Sequence, residues 1–278
     1  MIDIKAPESG TGELAPLLSL TRVSKRFQTK RSDTPALSDV SFNVREGEFV
    51  CIVGPSGCGK STLLNIIGGL RSADEGSVLF EGKPVTKPGP DRMVVFQEPA
   101  LYPWLDVRAN VEFGLKMKGM DKDARREYVN KYLDLVNLRQ FEKSYIHELS
   151  GGMKQRVQLA RALAVEPRVL LMDEPFAALD AQTRDILQLE LQEIWARLGT
   201  TIIFITHNVR EAVILGDRVL VMRHSPGGLK GEFRVDVPRP RQHESHEVAD
   251  ISGEIRKALE YDFNGHRPVG MEDVAQAG

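Results

Sequence analysis

The sequence predicts an α/β fold built on a parallel sheet, and three observations indicate this class. Short apolar runs alternate with helical patterns along most of the chain, which is typical of parallel strands connected by helices. Residues 169–172 are continuously apolar, as expected for a strand buried on both faces, and residues 201–205 indicate another buried strand. Residues 49–67 combine a β-rich apolar run, a glycine-rich loop and a helix.

The N-terminal part of the chain is predicted to consist mainly of strands. Residues 1–16 are expected to form a disordered leader, because they are mostly polar, acidic and rich in small residues. An edge strand at residues 18–23 is followed by a polar loop that runs through Pro35. The further elements predicted here are strands at 40–44, 49–53, 77–80 and 93–96, a helix at 61–67 and a turn at 81–84.

The pattern becomes helical between residues 102 and 164, which indicates a helical insertion within the α/β core. Strands and helices alternate again after this insertion. Beyond Pro240 the composition turns polar, and one short helix is expected there. The predicted elements are helices at 107–117, 122–136, 152–164, 181–198, 209–215 and 251–259, and strands at 169–172, 201–205 and 218–222.

Composition limits the classes of function. The 278 residues allow one large or two small domains. With 37 basic and 39 acidic residues the net charge is −2, so no overall basic field favours nucleic acid. The sequence shows neither a signal-peptide pattern nor an apolar run of about 18 residues that could span a membrane. We therefore expect a soluble protein that would act at a membrane only through a partner.

The two cysteines, Cys51 and Cys58, are seven residues apart across a strand and a tight loop. A disulfide between them would distort the loop, so we expect free thiols in a reducing compartment. Cys58 is interpreted as a loop filler rather than a reactive thiol.

The glycine-rich loop at residues 54–61 reads GPSGCGKS and matches G-x-x-x-x-G-K-[ST] at every fixed position. Its glycines allow backbone N–H groups to face a polyphosphate, and the helix N-terminus adds partial positive charge. The lysine should reach the β- and γ-phosphates, and the serine hydroxyl should hold Mg²⁺. The residues predicted to bind a nucleoside triphosphate here are Gly54, Pro55, Ser56, Gly57, Cys58, Gly59, Lys60, Ser61 and Thr62.

Two acidic residues follow the apolar run at 169–172. Asp173 ends a predicted buried strand beside the phosphate loop and is placed to hold Mg²⁺. Glu174 is the candidate general base that orients or deprotonates the attacking water. A random Asp-Glu pair would be two solvated loop acids, but this position in a chain with a phosphate loop favours the functional interpretation.

A second glycine-rich stretch, LSGGM at residues 149–153, opens the helix predicted at 152–164. Ser150, Gly151 and Gly152 could form another anion site at a helix N-terminus. Taken alone, the stretch is equally well explained as an ordinary N-cap. A second anion site would make sense only if two chains share each nucleotide.

With these motifs in this order, residues 18–240 resemble the nucleotide-binding subunit of the ATP-binding cassette (ABC) transporters. LSGGM is similar to the family signature LSGGQ, with Met153 in place of glutamine. Further matches are Gln97 at the Q-loop, Asp180 in the D-loop, His207 as the switch histidine and Phe27 where the family stacks an aromatic ring on adenine. Each of these four residues alone would have a structural explanation, such as an N-cap for Asp180.

The resemblance implies a P-loop NTPase (RecA-like) core with an antiparallel β subdomain and an inserted α-helical subdomain. It implies an ATPase domain at residues 17–240, with the helical subdomain at about 98–164 and a polar C-terminal extension at 241–278. Two cassettes would pack head to tail, so that Ser150, Gly151, Gly152 and Asp180 of one chain close over ATP bound by the other.

The resemblance also implies roles for single residues. Glu174 would polarise water, His207 would contact the γ-phosphate, and Gln97 would join Ser61 and Asp173 around Mg²⁺ and link the ion to the helical region. Two positions depart from the family pattern. Met153 loses any polar contact of the usual glutamine, and Asn208 replaces an aspartate that is common in relatives. We expect activity to survive the change at residue 153, and the change at residue 208 to retune the switch region without removing His207.

One phosphate loop and one signature indicate a single cassette that forms a homodimer or pairs with a similar subunit. The resemblance implies separate transmembrane permease subunits, indirectly a periplasmic or lipid-anchored substrate-binding protein, and a peripheral place on the cytoplasmic face of the inner membrane. Residues 96–105 and the tail 237–241 are similar to the nitrate, sulfonate and taurine importer subfamily. A small anion is therefore the expected cargo.

Two alternatives belong to other classes of protein. A cassette ATPase of DNA repair or chromosome organisation would carry long coiled coils or DNA-binding domains, and here heptads are absent and the net charge is slightly negative. A soluble translation-type protein usually carries two cassettes in one chain. His243, His246 and His266 are interpreted as part of a solvated segment rather than a metal site.

Overall fold

The computed structural model describes residues 15–28, 33–224 and 226–260. Residues 1–14 of the predicted leader and residues 261–278 of the predicted extension lie outside the described residues. His266 lies outside them as well. In the described part of the chain, no helix is long and apolar enough to cross a membrane.

A mixed sheet forms the centre of the molecule, and its strands confirm the predicted parallel core. Among the described residues it has six strands in the order β10-β9-β3-β8-β7-β6. All neighbouring pairs are parallel except β10 with β9. Its strands are β3 (Phe49–Val53), β6 (Arg92–Val95), β7 (Val169–Asp173), β8 (Thr201–Thr206), β9 (Arg218–Met222) and β10 (Leu229–Arg234).

Both faces of this sheet are buried, which explains the continuously apolar strands. Side chains alternate between the two faces of a strand. Val50 and Ile52 of β3 belong to the core on one face, while Phe49 and Cys51 belong to the core on the other. The central sheet therefore separates the two cores of the described residues.

A second, antiparallel sheet covers one face of the central sheet, as the resemblance implies. Its described strands run in the order β2-β1-β4-β5. These strands are β1 (Leu18–Gln28), β2 (Asp33–Val44), β4 (Glu75–Phe80) and β5 (Lys83–Pro84). Helix α1 (Lys60–Ile67) lies in the core between the two sheets, where Leu63, Leu64 and Ile67 are buried.

The remaining helices belong to the other core. Several begin where a short polar side chain accepts a hydrogen bond from the first turn, as N-caps do. Asp106 accepts from the Ala109 N–H, and Asp180 accepts from the Thr183 N–H. The helices are α2 (Val107–Met117), α3 (Lys122–Leu135), α4 (Gly151–Ala164), α5 (Ala181–Leu198), α6 (Val209–Leu215) and α7 (His246–Glu260).

Three sequence-based assignments were wrong because pairing with the neighbouring strand in the chain decided them. The loop expected through Pro35 ends earlier, since β2 already pairs with β1 from Asp33 onward, opposite Gln28. Lys83 and Pro84, expected in a turn, extend the second sheet as β5. Strand β10 was missed because its sequence LKGEFR is polar, and pairing with β9 defines it.

Helix α7 starts at His246, five residues before the predicted start. Its buried Val248 and Ile255 belong to the same core as α6, and Ser252 is buried between them. The segment beyond Pro240 therefore packs on the core as far as it is described.

The sequence just before α7 holds α6 through a buried guanidinium. Arg241 is only 2% exposed, and its N–H groups donate to the carbonyl oxygens of Val213 and Gly216 near the C-terminal end of α6. They also donate to the carbonyls of Val235 and Val237. Arg241 thus satisfies helix-end carbonyls that would otherwise be buried without donors.

We predict that Arg241→Ala lowers the free energy of unfolding by about 3 kcal/mol, because several buried carbonyls lose their donor and a cavity forms. Urea unfolding followed by circular dichroism measures the change. The matched control is Arg256→Ala on the exposed side of α7, which should cost less than about 0.5 kcal/mol. Equal losses in the two variants would contradict the anchoring role of Arg241.

Candidate active site

The phosphate loop joins the end of β3 to the start of α1, as predicted. Gly57 and Gly59 have positive φ angles of 79° and 93°, a left-handed conformation that favours glycine. A Cβ atom on Gly59 would lie 2.6 Å from the carbonyl oxygen of Ala36. The loop therefore requires glycine both for its own backbone and for the close approach of β2.

Lys60 is fixed at the base of this loop. Its side chain is 5% exposed, and Nζ donates to the carbonyl oxygens of Gly54 at 2.9 Å and Pro55 at 3.1 Å. Nζ lies 3.8 Å from Oε1 of Glu174. A buried ammonium group at a helix N-terminus attracts an anion such as a phosphate.

An open cleft of about 370 Å³ lies above the loop, within the size range of ligand sites. Phe27 forms part of one wall, with the Arg71 guanidinium 4.8 Å from its ring centre. The cleft thus combines an aromatic ring with a phosphate cradle, as a nucleotide requires. Its lining residues are Phe27, Thr34, Pro35, Ala36, Ser56, Gly57, Gly59, Lys60, Ser61, Thr62 and Glu174.

Three of these residues were not predicted. The sequence predicts a loop at Thr34 and Pro35 and no element at Ala36. The pairing of β2 with β1 places Thr34 opposite Phe27 and so brings this segment to the cleft wall. No local signal in the sequence marks them.

Ser61 and Asp173 lie together, although 112 residues separate them. The Ser61 hydroxyl donates to Oδ1 of Asp173 at 3.1 Å. Burial raises the pKa of the Asp173 carboxyl, the Ser61 hydrogen bond lowers it and the neighbouring Glu174 raises it further. Such a pair of oxygen ligands suits Mg²⁺, which commonly takes one or two protein oxygens together with substrate phosphates.

Glu174 and His207 form the second pair. Nδ1 of His207 is 2.6 Å from Oε2 of Glu174. Glu174 has a φ of +45°, and its N–H donates to the Ile205 carbonyl oxygen, so its backbone is fixed against β8. The structure therefore brings the predicted base, the predicted switch histidine and Lys60 to one end of the cleft.

Gln97 is tied to the helical region through its backbone. Its carbonyl oxygen accepts from Nε2 of Gln155, a buried residue of α4, at 3.0 Å. Among the described residues, no hydrogen bond joins the Gln97 side chain to Ser61 or Asp173. Its place at a metal ion stays a prediction.

The second glycine-rich stretch caps α4 outside the cleft. Ser150 accepts from the Met153 N–H at 3.3 Å, and Ser150 and Gly151 are exposed. Gly152 is buried against α5, since a Cβ there would lie 2.7 Å from Cγ2 of Thr183. Ser150 and Gly151 are therefore free to contact a ligand held by another molecule.

The two departures from the family pattern have local explanations. Met153 is partly buried and packs against the core of the helical region, so an apolar side chain suits that position. Oδ1 of Asn208 accepts from the N–H groups of Arg210 and Glu211 and caps α6. Asparagine thus supplies the cap that aspartate would supply.

Both cysteines, and several histidines outside the cleft, lie in the described part of the chain. Cys51 and Cys58 are free and buried, and burial raises the pKa of both thiols. The reducing compartment and the interpretation of Cys58 as a loop filler stay predictions. Among the described residues, no group of three or more His, Cys, Asp or Glu side chains could hold a metal ion. His243 instead lies 3.1 Å from Asp185.

Comparisons with known proteins agree with this geometry. Residues 37–177 match the family model described as ABC transporter. The chain is 48% identical to the nitrate import ATP-binding protein NrtD of Synechocystis sp., over 80% of this chain and 83% of that protein. It is 46% identical to the taurine import ATP-binding protein TauB of Roseobacter denitrificans, over 78% and 82% of the two chains.

A solved structure is similar to the fold as a whole. It is a dimeric ATP-binding cassette in a post-hydrolysis state, bound to ADP and phosphate. It superposes with a TM-score of 0.70 at 33% sequence identity, over 80% of this chain and 100% of that chain.

We predict that Glu174→Gln still binds ATP but lowers its hydrolysis by about 100- to 1,000-fold, because a general base contributes a factor of this size. Steady-state phosphate release measures turnover, and a fluorescent nucleotide measures binding. Glu254→Gln, on the exposed side of α7, is the control and should retain full turnover. Near-normal hydrolysis by Glu174→Gln would rule out the general-base role.

Proposed function

The chain belongs to the ABC transporter family of ATP-binding proteins, and on that premise we propose that it is the ATP-hydrolysing subunit that powers a membrane importer. The observation that carries this proposal is the common placement of Lys60, Glu174 and His207 at one end of the cleft. In this proposal Lys60 is the cation that binds phosphate, Glu174 is the general base, and His207 is the hydrogen-bond partner of that base.

We assign the chemistry of hydrolysis to the groups of this cleft. Lys60 and the loop N–H groups bind the β- and γ-phosphates of ATP, and Phe27 stacks on the adenine. Glu174 orients water and takes its proton as the water oxygen attacks the γ-phosphorus. The bond between the γ-phosphorus and the β,γ-bridging oxygen breaks, so ADP leaves with that oxygen and phosphate is released. His207 holds Glu174 through Nδ1, so that the base faces the terminal phosphate.

Mg²⁺ fits the oxygen pair of Ser61 and Asp173. When bound there, the ion would neutralise charge that develops on the phosphate oxygens. Asp173 suits this role because its carboxyl is partly buried beside the phosphate loop and already bonded to Ser61. The Gln97 side chain is proposed to complete the ligand set from the loop that leads to the helical region.

The second half of each ATP site is proposed to come from another copy or from a similar ATPase subunit. Ser150 and Gly151 are exposed at the N-terminus of α4 and do not line the cleft of their own chain. Helix α4 thus presents free N–H groups and a serine hydroxyl to an anion outside its own chain. Asp180 at the start of α5 is also exposed and is assigned to the same interface.

The partner that spans the membrane is proposed to dock on the helical region. Trp104 is 71% exposed and Met117 68% exposed, next to the half-exposed Phe113. The ring of Tyr102 packs against those of Trp104 and Phe113, with centres 5.6 and 4.5 Å apart. An exposed aromatic and apolar patch of this kind is typical of a protein interaction site. We assign it to the permease because the chain connects it directly to Gln97.

We propose a small anion as the cargo, such as nitrate, an aliphatic sulfonate or taurine. The names of the nitrate and taurine import relatives support this class. A periplasmic or lipid-anchored binding protein would deliver the anion to the permease, and the ATPase would act from the cytoplasmic face of the inner membrane. The alternative of DNA repair or chromosome organisation is not favoured by the import relatives.

We predict that ATP drives dimerisation of Glu174→Gln, because the unhydrolysed γ-phosphate is held by both chains. Adding Ser150→Arg should keep the protein monomeric while ATP binding to each chain is unchanged, since Ser150 acts on the other chain's nucleotide. Size-exclusion chromatography with light scattering measures the mass, and a fluorescent nucleotide measures binding.

The control for this experiment is Ser72→Arg in the same background, at an exposed serine far along the chain from the α4 cap. It should dimerise normally. If Ser150→Arg abolished ATP binding to the monomer, the residue would have a local role and the composite site would be wrong.

We predict that cells lacking this gene lose uptake of labelled nitrate, alkanesulfonate or taurine, and that the wild-type gene restores it. Lys60→Ala should not restore uptake, because ATP is no longer bound productively. Trp104→Ala should also fail to restore uptake while the purified variant keeps its ATPase activity, because only permease docking is impaired.

Leu70→Ala removes another half-exposed apolar side chain outside the aromatic patch and is the control. It should restore uptake fully. Unchanged uptake of all three anions in the deletion strain would contradict the assigned cargo, whereas normal uptake with Trp104→Ala would contradict only the docking site.

A further inference from the structure

A buried glutamine in the second turn of α4 has no role in the mechanism above. Gln155 is 4% exposed, and its Nε2 donates to the carbonyl oxygen of Gln97 at 3.0 Å. Its Oε1 is buried and has no hydrogen-bond partner among the described residues. A buried amide is costly unless it is hydrogen-bonded, so an apolar side chain would fill this place at lower cost. The bond to Gln97 is therefore what a glutamine adds at this position.

The segment that Gln155 holds has no regular structure of its own. Strand β6 ends at Val95, and residues 96–100 form neither a helix nor a strand and are mostly exposed. A loop of this kind samples several conformations unless hydrogen bonds or packing restrain it. The side-chain amide of Gln155 supplies such a restraint at Gln97.

This loop leaves the sheet beside the oxygen pair assigned to Mg²⁺. Val95 pairs with Met172, the residue before Asp173, so Gln97 follows the carboxyl end of β6 at the edge where Asp173 accepts from Ser61. An amide oxygen at this edge is a suitable ligand for a hard cation. Its position depends on the backbone conformation at Gln97, which the hydrogen bond from α4 restrains.

Helix α4 is closely packed and can serve as a rigid support for the loop. Nη2 of Arg156 lies 2.7 Å from Oε1 of Glu190 on α5, so an ion pair ties the two helices together. The cavity that Gln155 lines together with Val95 and Met172 measures about 10 Å³, the lower limit of what one water molecule needs. Side chains packed at this density resist displacement.

We propose that Gln155 is a positioning residue for hydrolysis: its amide fixes the loop at Gln97 relative to α4, so that the Gln97 side chain is held at the metal side of the cleft. The inference deepens the proposed ATPase function and rests on it. Because Gln155 acts through Gln97, its removal should have no effect on turnover once the Gln97 side chain is absent.

The first measurement tests the contact itself, in protein without nucleotide or metal. Gln155→Met keeps a side chain of similar length and removes the N–H donor. Amides of residues 96–101 should exchange with deuterium about 5- to 10-fold faster, since the loop loses its restraint. Quench-flow hydrogen exchange on the millisecond to second time scale, read by mass spectrometry, measures the change.

The second measurement is a double-mutant cycle on ATP hydrolysis. Gln155→Met should lower kcat by about 10-fold, the effect of a small displacement of a positioned group. KM for ATP should stay within about twofold, because the phosphate loop is untouched. In the Gln97→Ala background, Gln155→Met should leave the residual single-turnover rate unchanged, because its effect passes through the missing side chain. It should still speed exchange of the loop, since the carbonyl of residue 97 is retained.

The matched control is Gln158→Met in the same helix. Gln158 is 1% exposed, and among the described residues neither polar atom of its side chain has a hydrogen-bond partner. The same substitution there removes no bond to the loop, so exchange of residues 96–101 and kcat should both stay unchanged. Gln155→Leu should reproduce both effects of Gln155→Met if that variant fails to fold.

Unchanged loop exchange in the folded variant at residue 155 would overturn the inference, as would equal losses of kcat with and without the Gln97 side chain. Full activity of Gln97→Ala would overturn it too, because the loop would then carry no group to position. An equal loss of kcat from Gln158→Met would do the same, since general packing of α4 would explain both.

In each of these results the wild type still hydrolyses ATP, so the proposed function stands. A wild-type protein that hydrolyses no ATP would refute the proposed function and the inference with it.

Discussion

The register of three neighbouring parallel strands is the constraint on which the site depends. Val53 at the end of β3 pairs with Thr206, and Asp173 at the end of β7 pairs with Ile205. Carboxyl ends of parallel strands meet at one edge of a sheet, where ligands bind in open α/β folds. A shift of one residue in either pair would turn Asp173 or its neighbour to the opposite face. The phosphate loop, the proposed base Glu174 and the proposed switch histidine His207 are therefore positioned together by backbone hydrogen bonds.

Because both faces of the sheet are buried, the strand register is held rigidly. Different elements of the site pack on each face. One core contains α1 and the antiparallel sheet, which brings Phe27 and residues 34–36 to the nucleotide cleft. The other contains the helical region and α5 to α7. Ser150 and Trp104 are exposed residues of that helical region. The proposed contacts to a second ATPase chain and to the permease thus lie on the core opposite the phosphate loop helix.

Much of this arrangement could be predicted, because its signals are local. Each signal extends over only a few residues of the sequence. The signals are the spacing of the glycines and Lys60, the apolar runs of the central strands and the N-cap residues. The parallel sheet, the phosphate loop and most helix boundaries were predicted on these grounds. Where polar strands gain stability only from a partner, as β10 does from β9, the sequence offered no comparable signal.

By itself, the sequence determined which groups could bind and hydrolyse a nucleotide. These groups are a phosphate loop with its lysine and serine, and two acids after a buried strand. The sequence also contains a second glycine-rich helix cap, which a nucleotide site within one chain does not require. Only the tertiary structure decided which distant residues meet. It placed Ser61 against Asp173 and His207 against Glu174. The physical reason is that loop and strand residues far apart in sequence are brought together by sheet register and core packing. These depend on the whole chain and leave no periodic pattern at the residues that they join.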